Sequence, residues 1–462
     1  MPPSLAAILT VGFVFVLFGR DRLNEGKVSP ALWLPVMWMA ITGSRFVSQW
    51  INLDARGLVA ADGPEGSPLD ALYFLTLILA GLWVLGRRHA SIGAIVRNNR
   101  WLVALFIYGF LAILWSDFPF IAFKRWIKTL GHPIMALIIL TDPNPIGALR
   151  IVMKRCAYLL IPFSMLLIKY FPQYGRGFDA FSGQPVNNGV GLTKNDLGYQ
   201  CMIFGLFFLW NLLTAVRAGD RRERRRELAL SAIFLGLIAW LMWLANSATS
   251  LACLLLGVVV MLLMGAVNRR LVGGYIVVGV ALVAAAELAF DLHVSLLNLV
   301  GRDPTLTDRT KVWADVLAMQ DSPILGTGFE SFWLGSRVEE LWAKWWWHPN
   351  QAHNGYIETY LNLGGIGVFL LACVLVSTFR KIAKQVLVDF DFARFRLAFL
   401  FAIVAFNFTE AAFKGVHLVW TMFYIIAIDY PRSRTKQPGR SPVSSPRPSS
   451  HAPSPSAVRH RP

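Results

Sequence analysis

The sequence predicts an all-α, polytopic integral membrane protein with about 12–13 transmembrane helices and one large extracytoplasmic loop. The chain of 462 residues is 55% hydrophobic and 13% aromatic but only 15% charged, which lies far outside the usual composition of soluble domains. Apolar runs of about 17–23 residues, the length that a membrane-crossing helix needs, recur along it. Basic residues cluster in every second connection between these runs, which is typical of a chain that crosses a bilayer repeatedly.

Thirteen apolar runs are candidate spans. In chain order they are 3–19, 28–44, 69–86, 101–116, 119–140, 150–171, 197–216, 228–246, 249–267, 271–289, 356–378, 395–412 and 416–430. The run 119–140 is the weakest of them, because Arg125 and Lys128 interrupt it and Pro133 would kink a helix there.

The basic connections orient the chain, because the positive-inside rule places them in the cytoplasm. They contain Arg20, Arg22 and Lys27; Arg87, Arg88, Arg97 and Arg100; Arg150, Lys154 and Arg155; Arg221 to Arg226; Arg269 and Arg270; and Arg380, Lys381 and Lys384. The opposite connections, 45–68, 172–196, 247–248 and 290–355, are then extracytoplasmic, and the C-terminus is cytoplasmic.

The chain divides into a membrane-embedded domain over residues 1–430 and a tail over residues 431–462. The tail is rich in Pro and Ser and carries seven Lys or Arg residues without an acidic one. Such a composition cannot bury a core and predicts disorder. Because the net charge of +17 is concentrated in this tail and in cytoplasmic loops, it does not indicate nucleic-acid binding.

The long polar connection 290–355 is the best candidate for a functional site. It ends in the segment His348-Pro349-Asn350-Gln351-Ala352-His353-Asn354-Gly355 and leads directly into the apolar run 356–378. His353 is therefore expected where a water-facing loop meets the membrane surface. An imidazole in that position reaches both a lipid head group and an aqueous partner, which suggests chemistry on a membrane-anchored substrate.

Three sequence blocks resemble a known family. They are Thr193-Lys194-Asn195-Asp196-Leu197-Gly198 ahead of a span, Gly301 to Trp313 in the outer loop, and His353-Asn354-Gly355-Tyr356-Ile357-Glu358 at the start of a span. Together they are similar to the O-antigen ligase / polysaccharide polymerase superfamily, especially its exopolysaccharide-production polymerase branch. The resemblance covers most of residues 100–430 and is strongest over 190–365. Asp308 departs from the pattern of that branch, which has Gly there.

The resemblance implies a metal-independent, inverting glycosyltransferase of the bacterial inner membrane that uses no cofactor. Members of this superfamily transfer a glycan from an undecaprenyl-diphosphate carrier to an acceptor hydroxyl at the periplasmic face, in exopolysaccharide or O-antigen biosynthesis. The implied partners are an undecaprenyl-diphosphate-linked oligosaccharide, a glycan or lipid A-core acceptor, membrane lipid, a flippase and a chain-length regulator. A polymerase is favoured, and a ligase that joins finished O-chain to lipid A-core is the alternative.

The resemblance and the chemistry of the reaction assign candidate roles. His353 would act as the general base on the acceptor hydroxyl, because a histidine side chain ordinarily titrates near ~6.5. A diphosphate leaving group needs cations where negative charge develops, and Arg pairs two phosphate oxygens at once. The candidates for binding the diphosphate or the glycan are Arg302, Arg309, Arg125, Lys128, Lys194, Asn195, Asn354 and Glu358.

The two histidines of the loop segment differ in what the sequence supports. His353 alternatively caps the helix that follows it, whereas His348, between a Trp run and Pro349, is interpreted as an interfacial loop residue. A metal site built from these histidines and Glu358 would match no standard ligand spacing. The four cysteines all lie in apolar runs, so neither a zinc site nor a disulfide framework is predicted.

The cationic candidates have structural interpretations as well. The loop arginines would then pair with the aspartates beside them, and the two cations within 119–140 would extend to the membrane interface. Glu410 and Lys414 stand four residues apart near the end of a span, so they are expected to pair with each other and to be structural.

A non-enzymatic lipid-linked glycan flippase or transporter is the alternative from a different class of protein. Such proteins commonly show internal repeats, broken helices and charges at mid-membrane depth. This chain instead concentrates its polar residues in one outer loop, which favours an enzyme.

Overall fold

The structure of the chain is a computed structural model that describes residues 1–24, 29–53, 66–179, 183–217, 219–266, 274 and 309–430. Its α-helices in chain order are α1 (Pro3–Asn24), α2 (Trp33–Thr42), α3 (Val47–Ile51), α4 (Pro68–Arg87), α5 (Ile92–Asn98), α6 (Arg100–Leu111), α7 (Pro119–Thr129), α8 (Gly131–Leu140), α9 (Pro145–Tyr170), α10 (Pro172–Gly175), α11 (Lys194–Ala215), α12 (Arg221–Ala245), α13 (Ala248–Ala266), α14 (Arg309–Ala318), α15 (Ser336–Lys344), α16 (Gly355–Gln385), α17 (Phe390–Thr409) and α18 (Leu418–Ala427). A 3-10 turn, Pro30–Leu32, precedes α2, and the strands β1 (Arg176–Phe178) and β2 (Pro185–Asn187) form an antiparallel hairpin.

Eight helices of the described part are long and apolar enough to cross a membrane, namely α1, α4, α9, α11, α12, α13, α16 and α17. Three shorter apolar helices, Pro30–Thr42, α6 and α18, occupy further predicted spans. The prediction of an all-α, multi-pass membrane protein is therefore confirmed. The predicted span 271–289 (apart from residue 274), the first part of the predicted loop, 290–308, and the predicted tail 431–462 lie outside the described residues.

The run 119–140 forms two helices, α7 and α8, where a single span was expected. Pro133 has no N–H to donate to the carbonyl of Thr129, so regular helical hydrogen bonding is interrupted between the two helices. Trp38 of α2 packs on the junction, where a Cβ on Gly131 would lie 1.9 Å from its ring. The result is an amphipathic α7 that carries the predicted cations and an apolar, buried α8.

Large aromatic side chains fill the centre of the bundle, where α9, α11, α17 and α18 bury most of their residues. The large, fully buried side chains include Trp38, Trp210, Tyr158, Phe204, Phe207, Phe208, Phe395, Phe399 and Phe406. By contrast, α1, α4, α12 and α13 expose apolar side chains such as Phe15, Leu79, Trp243 and Leu262. Helices that are apolar on the outside as well as the inside are typical of membrane spans.

The second half of the predicted outer loop folds over one end of this bundle, which we call the site face. There α14 and α15 share a small hydrophobic cluster with the start of α16, made of Val312, Val316, Phe332, Leu341, Ala352 and Leu361. Trp313 packs against this cluster and donates from Nε1 to the carbonyl of Ala352 at 2.6 Å. That bond holds the residue that precedes His353.

A break in α16 separates a short half-helix, 355–363, at the site face from a long apolar span. It occurs at Gly364, whose φ of +62° is non-helical. Backbone hydrogen bonds on both sides of the break tie the loop segment 323–329 to it. A Cβ on Gly364 would lie 2.2 Å from the carbonyl oxygen of Ile324, so glycine is needed both for the positive φ and for the close approach.

Candidate functional site

His353 lies one residue before the N-cap of α16, at the site face. Its φ of +50° is a left-handed backbone conformation that is uncommon for a residue with a Cβ. The N-cap is Asn354, whose Oδ1 accepts hydrogen bonds from two backbone N–H groups of the first turn. Its Nδ2 donates to the carbonyl of Phe408 at 2.9 Å, which ties the start of α16 to the end of α17.

A glycine makes this approach of the two helices feasible. A Cβ on Gly355 would lie 2.2 Å from Oδ1 of Asn407, so a larger residue would separate α16 from α17. The same Oδ1 accepts hydrogen bonds from the backbone N–H groups of Ala412 and Phe413 at 2.8 and 2.9 Å. Asn407 thereby orders the loop that follows α17 and begins with Glu410.

Glu410 is the centre of a charged cluster that includes His353. Its Oε2 lies 3.2 Å from Nδ1 of His353. Its Oε1 accepts hydrogen bonds from Nη2 of Arg309 at 3.0 Å and from Nδ2 of Asn195 at 2.8 Å. Ser247 donates from Oγ to the Asn195 side chain at 3.1 Å. Residues from α11, α14 and the loop that leads into α16 therefore converge on one carboxylate, and the connection before α13 contacts it through Asn195.

The carboxylate of Glu410 determines which nitrogen of His353 is available as a base. An ionised carboxylate only accepts hydrogen bonds, so Nδ1 carries the hydrogen and Nε2 of the neutral ring keeps its lone pair. The Gln351 amide lies 3.4 Å from the same Nδ1, a longer contact than the one to the carboxylate. The His353 side chain is 22% exposed, which leaves the ring accessible to a substrate.

The electrostatics of the cluster keep Glu410 ionised. This residue directly follows the last helical residue of α17, and its side chain is only 10% exposed. Burial raises its pKa, but the hydrogen bond with His353 and the charge of Arg309 outweigh burial and hold the pKa below its ordinary value of 4.5. Because the Glu410 carboxylate is charged at neutral pH and contacts Nδ1 of His353, it can stabilise the imidazolium that forms when Nε2 of this ring takes up a proton.

A second ion pair lies beside the first. Nζ of Lys414 is 3.2 Å from Oε1 of Glu358, whose side chain is 1% exposed. The same oxygen accepts a hydrogen bond from the backbone N–H of Ala352, and Oε2 accepts one from Nε1 of Trp333, both at 2.9 Å. The expectation that Glu410 and Lys414 pair with each other is therefore wrong. The chain leaves its helical path after α17, so the two side chains reach different partners.

Lys194, a predicted diphosphate-binding residue, forms an ion pair at 2.6 Å with Asp179, just beyond strand β1. Arg302 lies outside the described residues. Arg309 and Asn195 are the predicted binding residues that the fold brings to the Glu410 carboxylate.

The two remaining predicted cations, Arg125 and Lys128, lie on the amphipathic helix α7. Arg125 donates from Nη1 to the backbone oxygen of Glu330, whose carboxylate in turn accepts the N–H of Gly415. Helix α7 is thus joined through Glu330 to the loop that carries Lys414. The predicted contacts of these residues with a substrate stay predictions, as do those of Asn354 and Glu358.

Glu410 is the residue of this cluster that the sequence motifs did not single out as functional. It lies 57 residues after His353 and outside the three blocks that carry the family resemblance. Its one sequence signal was an ionisable side chain at the end of an apolar run, a position that often has a functional reason.

His348 occupies a separate position in the loop. Its φ is +48° and its ring stacks on Trp342 with the centroids 5.2 Å apart, as expected of a packed loop residue. Among the residues that the structure describes, no group of three or more His, Cys, Asp or Glu side chains is arranged to hold a metal ion.

A cleft with an empty volume of about 640 Å³ opens beside the Glu358–Lys414 pair. Its charged lining residues are Glu330, Glu358 and Lys414, and Arg125 lies next to it through Glu330. Aromatic side chains form much of the remaining wall, namely Phe106, Trp126, Phe329, Phe413, Trp420 and Tyr424.

Comparison with known proteins found a family and a relative to which this chain is similar. Residues 232–372 match the family described as O-antigen ligase, a stretch that contains Arg309, His353 and Glu358 but ends before Glu410. The chain is also 27% identical over 302 residues to the exopolysaccharide production protein ExoQ of Rhizobium meliloti (strain 1021). That alignment covers 62% of this chain and 66% of the relative. Both findings confirm the resemblance that the three sequence blocks carry.

Proposed function

We propose, from this relationship to the O-antigen ligase / polysaccharide polymerase superfamily, that the chain is a glycosyltransferase of the bacterial inner membrane. It transfers or polymerises glycan repeat units from an undecaprenyl-diphosphate-linked donor onto an acceptor hydroxyl. The observation that carries the proposal is the convergence of His353 and Arg309 on the carboxylate of Glu410. A base and a phosphate-binding cation are thereby held together at the end of a membrane-embedded bundle.

The charge distribution supports a periplasmic location for the site face. Helix α12 begins in the basic run Arg221 to Arg226 and ends at Ala245, two residues before Ser247, which contacts the Glu410 cluster. Its 25 residues extend for about 37 Å, enough to cross the bilayer. The positive-inside rule assigns the basic end to the cytoplasm, which puts the site face on the periplasmic side. The alternation of basic connections along the chain puts the C-terminus in the cytoplasm.

In the proposed mechanism, Nε2 of His353 removes the proton from the acceptor hydroxyl as that oxygen attacks the anomeric carbon of the donor sugar. The bond between the anomeric carbon and the diphosphate oxygen breaks, so the configuration inverts and undecaprenyl diphosphate leaves with the bonding electrons. Glu410 stabilises the imidazolium that forms, and Arg309 stabilises the charge that develops on the phosphate oxygens. The residues named require neither a metal ion nor a cofactor for these steps.

The acceptor distinguishes the two enzymes that share this mechanism. The name of the relative ExoQ refers to exopolysaccharide production, which supports a polymerase that extends a lipid-linked chain. The family description, O-antigen ligase, supports the alternative, in which finished O-chain is joined to lipid A-core.

A deletion strain tests the proposal. A polymerase predicts that long secreted polysaccharide is lost while single repeat units remain on their lipid carrier. A ligase predicts lipopolysaccharide without O-chain and finished polymer that stays on the carrier. If the lipid-linked repeat units instead accumulate on the cytoplasmic side of the membrane, the chain is a transporter and the enzymatic proposal is wrong. Normal assembly of both glycans would also contradict the proposal.

A further inference from the structure

The carboxylate of Glu358 is surrounded by hydrogen-bond donors of the protein itself. Its Oε1 accepts a hydrogen bond from the backbone N–H of Ala352 at 2.9 Å and one from Nζ of Lys414 at 3.2 Å. Its Oε2 accepts one from Nε1 of Trp333 at 2.9 Å and a longer one from Nδ2 of Asn362 at 3.4 Å. A carboxylate offers about four lone pairs, and this side chain is 1% exposed. Little acceptor capacity is therefore left for a sugar hydroxyl.

The bond to Ala352 is the one that reaches the proposed base, because Ala352 directly precedes His353. The carbonyl of Ala352 accepts a hydrogen bond from Nε1 of Trp313 at 2.6 Å, so both backbone polar groups of this buried residue are fixed. On the other side of His353, Asn354 bonds to the first turn of α16 and to the end of α17. His353 thus lies between two anchored neighbours.

The backbone of His353 needs this anchoring. Its φ of +50° is unfavourable for a residue with a Cβ, so the surrounding contacts must offset the cost of the conformation. Loss of the bond from Ala352 to Glu358 would remove one of these contacts. Relaxation of φ to a negative value would then swing the imidazole away from the Glu410 carboxylate, which lies 3.2 Å from its Nδ1.

The lysine that neutralises this carboxylate is also held in place. Lys414 precedes Gly415, whose backbone N–H donates to the carboxylate of Glu330 and whose carbonyl lies 2.9 Å from Nε2 of His132. Nδ1 of His132 accepts a hydrogen bond from Nε1 of Trp38 at 3.3 Å, so Nε2 carries the hydrogen and donates it to that carbonyl. A buried carboxylate needs such a fixed cation, because an unpaired charge away from water is strongly unfavourable.

We infer that Glu358 is a positioning residue, which holds the loop before α16 so that His353 keeps its left-handed conformation. The inference rests on the proposed function for the role of His353 as the base. It differs from the binding of substrate that the sequence predicts for Glu358. With the loop held in this way, Nδ1 of His353 stays on the Glu410 carboxylate and Nε2 stays directed to the acceptor. A displacement of such a group by about 1 Å costs about 10²-fold in rate.

Steady-state kinetics of Glu358→Gln separate a positioning role from a binding role. The amide has the shape of the carboxylate, but it lacks the charge and its NH₂ group cannot accept the bond from Trp333. We expect kcat to fall by about 10–10²-fold, while the KM values for lipid-linked donor and acceptor change by less than about twofold. Glu340→Gln, at an exposed acid on α15, is the matched control. A higher KM at constant kcat, or no change in either constant, would overturn the inference.

A double variant shows whether Glu358 acts through His353. Glu358→Gln should lower transfer in the otherwise unmodified protein but should lower it no further in His353→Ala, because the group to be positioned is already missing. A general loss of folded protein would instead reduce transfer in both backgrounds. A decrease of equal size in the two backgrounds would therefore mean that Glu358 has an independent role, and the inference would be wrong.

Amide hydrogen exchange of the full-length protein measures the bond itself and does not depend on transfer. Peptides that contain Ala352, followed by mass spectrometry, should exchange this amide about tenfold faster or more in Glu358→Ala than in the unmodified protein. Trp333→Phe, which removes one donor to the carboxylate but keeps an aromatic ring, is the alternative if the Glu358 variants misfold. It should change exchange and kcat in the same direction to a smaller extent. Unchanged exchange in both variants would refute the inference.

The two kinds of measurement also distinguish this inference from the proposed function. If exchange at Ala352 increases as expected but the unmodified protein transfers no glycan, the hold of Glu358 on the loop stands and the proposed function is wrong. If the unmodified protein transfers glycan but neither exchange nor kcat responds to the Glu358 variants, the function stands and the inference is wrong.

Discussion

Nδ1 of His353 lies 3.2 Å from Oε2 of Glu410, although 57 residues separate the two along the chain. The loop before α16 supplies the imidazole, and the loop after α17 supplies the carboxylate. Gly355 and Asn407 allow the two helix ends to approach. A histidine oriented by a buried carboxylate, with its other nitrogen accessible, is an arrangement suited to general base catalysis.

Replacement of His353 by Ala should lower the rate of glycan transfer by about 10²–10⁴-fold, the usual contribution of a general base. Donor affinity should change little, because the cations remain. The measurement is transfer by purified protein with lipid-linked donor and acceptor. His348→Ala is the matched control, since this second loop histidine also has a positive φ but stacks on Trp342. Unchanged transfer in the His353 variant at normal protein levels would rule out its role as base.

Glu410→Gln should reduce transfer by roughly 10²-fold or more, because the neutral amide neither selects the His353 tautomer nor stabilises the imidazolium. Binding of the donor should persist. This binding is measured in a separate assay with labelled lipid-linked donor. Glu340→Gln, an exposed acid on α15, serves as the control. A Glu410→Gln protein that is as active as the control would show that the carboxylate is structural only.

The stability of the protein should decrease in acid because of Glu410. Its pKa in the folded protein lies below the ordinary 4.5, so the unfolded chain binds more protons as the pH falls through this region. The stabilisation is therefore complete above pH 4.5 and is lost progressively below it. Apparent unfolding temperatures of detergent-purified protein, measured from about pH 6 to about pH 3, should fall less steeply in Glu410→Gln. Parallel curves for the two proteins would contradict this assignment.

Arg309→Lys should weaken donor binding by about tenfold or more, because an ammonium cannot reproduce the two-pronged contact of a guanidinium with phosphate. Arg309 also bonds to the backbone oxygen of Thr409 and to Glu410, so folding is checked by thermal unfolding. Arg337→Lys is the control, since Arg337 pairs with Asp117 at 2.8 Å elsewhere on the loop. Normal donor affinity in Arg309→Ala would show that Arg309 does not bind the phosphates of the donor.

Gly364→Ala should destabilise the protein and lower transfer, whereas Gly365→Ala should do neither. An alanine at φ +62° and ψ −165° costs about 1–3 kcal/mol, because this conformation is essentially restricted to glycine, and its Cβ would lie 2.2 Å from the carbonyl oxygen of Ile324. The half-helix 355–363 would then shift, and displacement of a catalytic group by about 1 Å costs about 10²-fold in rate. At Gly365 the nearest neighbour is 3.5 Å away. Equal behaviour of the two variants in unfolding and transfer assays would refute the role of the break.

The sequence predicted the architecture far better than the contacts within the site. Hydropathy and charge located most of the spans, but Pro133 and the polar face of α7 divide 119–140 into two helices. The sequence did not indicate a role for the segment 323–329. Its backbone bonds to the break at Gly364, which lies beyond the sequence block that begins at His353. Arg309 was predicted as a site residue, but its partner Glu410 was predicted to pair with Lys414.

What the sequence by itself determined is a multi-pass helical membrane protein with a polar loop that carries His353 at its end. Run length, composition and the alternation of basic loops are local properties, so they can be read without knowing which helices are neighbours. Only the tertiary structure decided that Glu410 faces His353 and Arg309 and that Lys414 faces Glu358. Those pairings depend on how closely α16 and α17 approach and where the chain turns after α17, and residue spacing along the chain does not encode either.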